Sequence, residues 1–300
     1  MGILFSLPAC IYGASQEQSA AILLALLLFL LVNQSKEALE TRTPLFNLPF
    51  SLTVISLVAA SIGLGSVLLS PAHINRAKAV EGIFCVPGYA SWTNTDKLLA
   101  GYSTTVANLI HYQTWIFIVF CLLLFGLGLC YKNIVEKFLA AVPAVYSILA
   151  ALVIPDQFAY YPDYGFGMKD LIKFSDPGLN AAVLFVPFLL FILICFLINQ
   201  LIDDKNSAVA IIFVLTIGLG SRVIMGFSAT LFGSSFRTFM YLLFALIYCS
   251  GMLFREIRKK KPFLSHIFLS LCVIIALRMV YLNSVILAYF KRHGVRYIQY

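Results

Sequence analysis

The chain has 300 residues, 61% of them hydrophobic and only 11% charged, with a formal net charge of +8 and a mean hydropathy of +0.94; a soluble globular domain carries about 25% charged residues. So little polar surface cannot cover a water-soluble fold of this size, and hydrocarbon is the expected solvent for most of the exterior. The positive balance does not point to nucleic acid, because most cations sit at the ends of apolar segments and no basic, aromatic-interleaved stretch is present.

In hydrocarbon the backbone must satisfy its own hydrogen bonds, which allows helices or closed barrels. The apolar runs are continuous, without the alternation of barrel strands, so the expected fold is all-α: a polytopic transmembrane helix bundle. Residues 1–13 are apolar, too short to span and broken by Pro8. They suit an interfacial helix or the remnant of a longer chain, and lack the Lys or Arg that opens a secretory leader. Eight spans of roughly 20 residues are expected, at about 17–33, 45–69, 105–130, 138–154, 180–201, 207–223, 237–254 and 263–287. The whole chain, 1–300, reads as a single transmembrane domain with neither a tandem repeat nor a soluble domain.

In chain order, Glu17 in GASQEQSAA opens the first span, where Ser15, Gln16 and Gln18 offer hydrogen bonds and a helix N-terminus favours a carboxylate. After the second span, SPAHINRAKA presents His73, Asn75 and Arg76, either as a solvated loop cap or as sugar and phosphate contacts. Connections of about 70–104, 155–179 and 224–236 are long and polar, and alternate with short ones. The short connections carry Lys36, Arg42, Lys132, Lys137, Lys205 and the run Arg255, Arg258, Lys259, Lys260, Lys261. The positive-inside rule places these in the cytoplasm, leaving both termini and the long loops outside.

Those outer loops hold Glu81, Asp96, Asp156, Asp163, Asp170 and Asp176, so chemistry is expected on the outer face. Arg222 ends the sixth span, Arg237 opens the seventh, and GFSATLFGSS between them is too polar for a lipid-facing surface. Arg278 lies inside the eighth span, about 23 Å from its inner end. Three arginines at one height beside a small-residue turn form the chemistry that an anionic headgroup needs. Snorkelling and plain interfacial anchoring are the alternatives. His111 and His266 lack a second ligand at helical spacing, so no metal site is expected, although a divalent metal stays open. The seven cysteines show no CxxC spacing and read as small buried hydrophobes.

LLSPAHINRAKA after a span, GASQEQSAAILL before one and SRVIMGFSATLFGSSFRTF at a late outer turn resemble motifs of bacterial polytopic membrane proteins of unknown function. Those are related to the serotype-converting O-antigen glucosyltransferases of the GT-C architecture. The resemblance implies a transferase in the bacterial plasma membrane that moves a sugar from a polyprenyl-phosphate donor onto a cell-surface glycan. It matches Arg76, Arg222 and Arg237 to basic residues near the donor phosphate, and Glu17 to a polar group at the cavity mouth. GT-C enzymes carry their catalytic carboxylate in the first outer loop. Nothing acidic precedes Glu17 here, so no catalytic residue is assigned and the C-terminal half of a split enzyme is one reading, with a partner chain supplying the missing helices. A lipid or polysaccharide transporter or flippase, and a non-catalytic envelope scaffold, are the other readings.

Overall fold

The computed structural model describes residues 17–44, 47–70, 92–111, 114–153, 185–228 and 235–293. Among these every regular element is helical. The expected interfacial segment 1–13 lies outside them, as do Arg76, His73 and the whole expected loop at 155–179. The chain divides into two compact units, Met1–Ser91 with Ser228–Thr230 and Trp92–Phe227 with Leu231–Tyr300.

The first unit is a helical hairpin of α1 (Glu17–Thr41) and α2 (Leu48–Leu68). Asn47 starts α2: its side-chain oxygen accepts the Phe50 N–H at 2.9 Å, and Pro49 occupies the first turn, where an N–H would have no partner anyway. After α1, Arg42 has φ 53° and Thr43 N–H reaches the Ala38 carbonyl at 3.1 Å. That is a Schellman closure with Arg where glycine is usual. Ala20, Leu27 and Ala60 are enclosed by Leu23, Leu24, Leu57 and Leu64, small residues letting the two backbones approach.

The second unit holds α3 (Asn94–His111), α4 (Thr114–Gly128), α5 (Ile134–Val153), α6 (Val186–Leu201), α7 (Lys205–Val223), a 3-10 turn (Ile224–Phe227), α8 (Ser235–Lys260) and α9 (Pro262–His293). Its core gathers Phe120, Leu124, Leu127, Leu197, Ile198, Ile211, Phe239, Leu242 and Leu253. On α6, Leu190, Ile194, Leu197, Ile198 and Leu201 are buried, while Phe188, Leu189, Ile192 and Phe196 on the other side are exposed. A helix that is apolar on both faces is stable only if its outward face meets hydrocarbon.

The described residues of each expected span fall mainly on helix, while 45–46, 112–113, 154 and 180–184 lie outside them. Among the described residues four helices are long and apolar enough to cross a membrane, Gln18–Thr41, Leu48–Val67, Lys205–Phe227 and Thr238–Lys260, or five if Asn94–Ile110 and Trp115–Gly128 form one bent span. Among the described residues the chain is thus all-helical, with the apolar helices of a multi-pass membrane protein. The third expected span differs most: the helix begins at Asn94, inside the expected outer loop, and its two parts, α3 and α4, meet at 78°. The cause is compositional, because α3 carries Ser103, Thr104, Thr105 and Asn108 and α4 is almost wholly apolar. The expected loop at 224–236 likewise begins as a 3-10 turn and ends in the first residues of α8.

One end of the second unit is tied by its short connections. Lys260 Nζ meets Asp203 at 2.6 Å and sits 4.5 Å over the Tyr131 ring, and the Tyr131 hydroxyl donates to Asp203 at 3.1 Å. Lys261 Nζ donates to the Leu129 carbonyl at 2.9 Å, capping the end of α4. Lys259 and Arg255 hold buried Glu256 at 2.7 and 3.5 Å. Three connections that the cation pattern put on one side, near 131, 203 and 260, therefore touch one another.

The hydrogen bond from Lys260, reinforced by Tyr131, lowers the Asp203 carboxyl below its ordinary 3.8. A group with a depressed folded pKa contributes stability above its unfolded pKa and loses it as pH falls through the folded value. The pair is largely exposed on the Asp203 side, so its contribution is about 0.5 kcal/mol. Below about pH 4 the wild type should therefore lose this increment. Asp203→Asn, already without it, should show a shallower acid limb in detergent unfolding. Identical limbs in the two proteins would remove the clasp from the stability account.

Candidate functional site

The opposite end of the second unit is built around a crossing of two glycines. A Cβ on Gly101 would lie 2.0 Å from the Val223 carbonyl oxygen, and one on Gly226 would lie 1.9 Å from the Lys97 carbonyl oxygen. Both obstacles are backbone, so only glycine at each position lets α3 seat on the turn that ends α7. Deeper along the same contact, Gly218 faces Ala245 of α8, where an added Cβ would meet the alanine methyl at 2.6 Å. Small residues thus draw α3, α7 and α8 together at this end.

The start of α3 is fixed by a capping box. Thr93 Oγ1 accepts the Asp96 N–H at 3.2 Å, and the Asp96 carboxylate accepts the Thr93 N–H and hydroxyl at 2.9 and 2.7 Å. Asp96, counted among the outer carboxylates from the sequence, is here a helix-capping group. One turn past Gly101, Thr105 and Thr104 donate back to backbone carbonyls of α3, at 2.6 Å to Gly101 and 2.7 Å to Ala100. This leaves the Thr104 oxygen able to accept from another helix.

Arg222 fills that place. It lies in the last turn of α7 and is 1% exposed, its guanidinium 4.3 Å over the Phe239 ring of α8. Nη2 donates to Thr104 Oγ1 at 3.4 Å, a long contact. Nε and Nη1 are buried with no hydrogen-bond partner, which leaves three N–H groups unmet. Among the described residues no carboxylate pairs with it. A buried guanidinium without a counter-anion costs several kcal/mol. The stacking over Phe239 offsets about 2 kcal/mol of this.

Other polar atoms near α3 are in a similar condition. Asn108, 7% exposed, has an unpartnered Oδ1, and the Tyr146 hydroxyl on α5 is buried without a partner. Buried polar atoms lacking partners are rare in native proteins. Here four such atoms, on Asn108, Tyr146 and Arg222, fall on α3, α5 and α7.

The sequence-derived residues fare differently. Arg278 is exposed on α9 with its guanidinium 4.5 Å over the Trp115 ring. Counting from the basic end at about 1.5 Å per residue, Arg222 stands about 26 Å along α7 and Arg278 about 24 Å along α9. The two share a level but face different rings on different helices. Arg237 stands in the first turn of α8 and Glu17 in that of α1; their side chains, with those of Arg76 and His73, lie outside what the structure describes. His266 is exposed, and the described residues contain no group of three His, Cys, Asp or Glu suited to a metal. Asp156, Asp163 and Asp170 fall outside the described residues.

Sequence reading missed Thr104, Asn108 and Phe239. The available signal was the i, i+4 spacing of Thr104 and Asn108, which puts both on one face of a helix. What this arrangement can do chemically is hold an anion by its oxygens in a low-dielectric setting, where charge-assisted hydrogen bonds are strong. Compared with protein-family models, with curated proteins and with solved structures, the chain matches none.

Proposed function

We propose that this protein is a GT-C-like glycosyltransferase of the bacterial plasma membrane, or the C-terminal half of one. It crosses the bilayer about eight times, with both termini outside. Its donor is a polyprenyl-phosphate-linked sugar, used for cell-surface glycan assembly, and the donor phosphate is held at Arg222. The observation that carries the reading is the enclosed Arg222 guanidinium with Nε and Nη1 unpartnered. It sits about 26 Å along α7 from the basic end, the distance between the two sides of a hydrocarbon core. With the basic run in the cytoplasm, the unpartnered guanidinium is at outer-leaflet depth, where a lipid-linked sugar is used.

The binding step has a direct experiment. Undecaprenyl phosphate should bind the full chain in nanodiscs, and Arg222→Lys should weaken it, because a lysine gives one point charge in place of the planar donor set. Binding equal to wild type in Arg222→Lys and in Arg222→Met would end the assignment. The topology is tested separately: alkaline phosphatase fused after Arg292 should be active outside the cell, and a fusion after Lys260 inactive.

A transporter or flippase is the second reading, favoured by one observation. Two interrupted helical segments, α3–α4 and α7 with its 3-10 turn, are in contact where Gly101 of the first packs on the turn of the second, and transporters form their sites from such broken helices. Proteoliposomes separate the two. Transfer of labelled sugar to an acceptor supports the transferase, and movement of the intact lipid-linked sugar between leaflets supports transport.

A further inference from the structure

We infer that Asn108 is a specificity-determining residue that accepts a hydrogen bond from a hydroxyl of the sugar whose phosphate is held at Arg222; this rests on the phosphate reading of Arg222 given above. Asn108 is more than nine-tenths buried, yet its amide oxygen has no partner. It lies four residues after Thr104, the residue that receives the Arg222 N–H. Residues at that spacing share a helix face, with Cβ atoms about 5–6 Å apart. An orphan acceptor thus stands one turn along α3 from the residue that meets the guanidinium.

The two needs have opposite sign, and that narrows the ligand. Arg222 Nε and Nη1 require acceptor oxygens carrying negative charge, whereas Asn108 Oδ1 requires an O–H or N–H donor. A bare polyprenyl phosphate meets the first need and leaves the second open. A phosphate esterified to a polyhydroxylated ring meets both, because ring hydroxyls lie within one turn's reach of the phosphate oxygens. Tyr146 is not needed for this, since it packs on the Val106 and Ile110 side of α3. An ammonium-bearing phospholipid shares the anion-plus-donor chemistry, so it forms a separate arm of the test.

Native mass spectrometry or a fluorescence titration on the full chain in nanodiscs would compare undecaprenyl phosphate, glucosyl undecaprenyl phosphate and phosphatidylethanolamine. The wild type should prefer the glucosylated lipid to the bare phosphate by about tenfold, a buried group's hydrogen bond being worth about that factor. Asn108→Leu should bind the two alike, with its affinity for the bare phosphate unchanged, which also shows that the variant is folded. Retained preference in Asn108→Leu, parallel loss for both lipids, or an Asn108-dependent preference for phosphatidylethanolamine would overturn the inference. Should Arg222→Met still bind the bare phosphate like wild type, the phosphate reading itself fails, an outcome visible independently of Asn108.

Discussion

Replacing Arg222 by methionine should make the ligand-free protein more stable while removing its affinity for lipid-linked phosphate. The two effects come from the same atoms. In the free protein the guanidinium is 1% exposed and Nε and Nη1 have no partner, so its desolvation is only partly offset by Phe239 and one long hydrogen bond to Thr104. Apolar replacements of buried ionic groups stabilise by about 1–4 kcal/mol, and methionine is flexible enough to fill the space. Against a phosphate the same three N–H groups form charge-assisted hydrogen bonds. Losing them should cost about 3 kcal/mol, or roughly a hundredfold in affinity. The checks are the unfolding midpoint in detergent and a lipid titration. A lower midpoint for Arg222→Met would mean that the guanidinium already has a partner, and the open site would be lost as an explanation.

Alanine at Gly101 or at Gly226 should be strongly destabilising, and the double variant should cost far less than the sum. Each new Cβ would stand 1.9–2.0 Å from a backbone carbonyl oxygen, whereas carbon atoms in contact prefer about 3.5–4.0 Å. No side chain can rotate away to relieve this, so α3 and the turn must separate by more than an ångström. Overpacking of this kind costs about 3 kcal/mol or more. Once one methyl has lifted α3, the second meets little further resistance, and that is the signature of coupled positions. The displacement also draws Thr104 from Arg222, so phosphate affinity should fall along with stability, unlike in Arg222→Met. Thermal unfolding of the two single variants and the double variant measures the coupling. Additive costs would show that the glycines act independently and that the crossing is not what seats α3.

Arg222 and the glycine crossing belong to one mechanical unit. Thr104 reaches the guanidinium because α3 seats on the 3-10 turn, and it seats there because neither contact residue has a side chain. The capping box at Thr93 and Asp96 then fixes where α3 begins. The exposed Arg278 stands at the same level but outside this unit, over Trp115. Its removal is expected to leave the Arg222 contacts unchanged, which makes Arg278→Ala a useful control in the lipid titration.

Much was legible in the amino-acid order alone. Length of apolar run and scarcity of charge, properties local to each segment, suffice for the all-helical, multi-pass membrane class. The cation-rich connections near 131, 203 and 260 that were grouped on one side do meet, through Lys260, Asp203 and Tyr131. Arg222 stood out because an arginine at the end of an apolar run is costly wherever it goes. What only the tertiary structure decided is which arginine is enclosed and by what. Burial of Arg222 depends on α3 folding back at 78° from α4 and on two glycines 125 positions apart being in contact. Hydropathy read α3 as loop and span because it averages polarity along the chain. Ser103, Thr105 and Asn108 of α3 are tolerated because neighbouring helices cover them, and that cover is a property of packing between segments far apart in the chain.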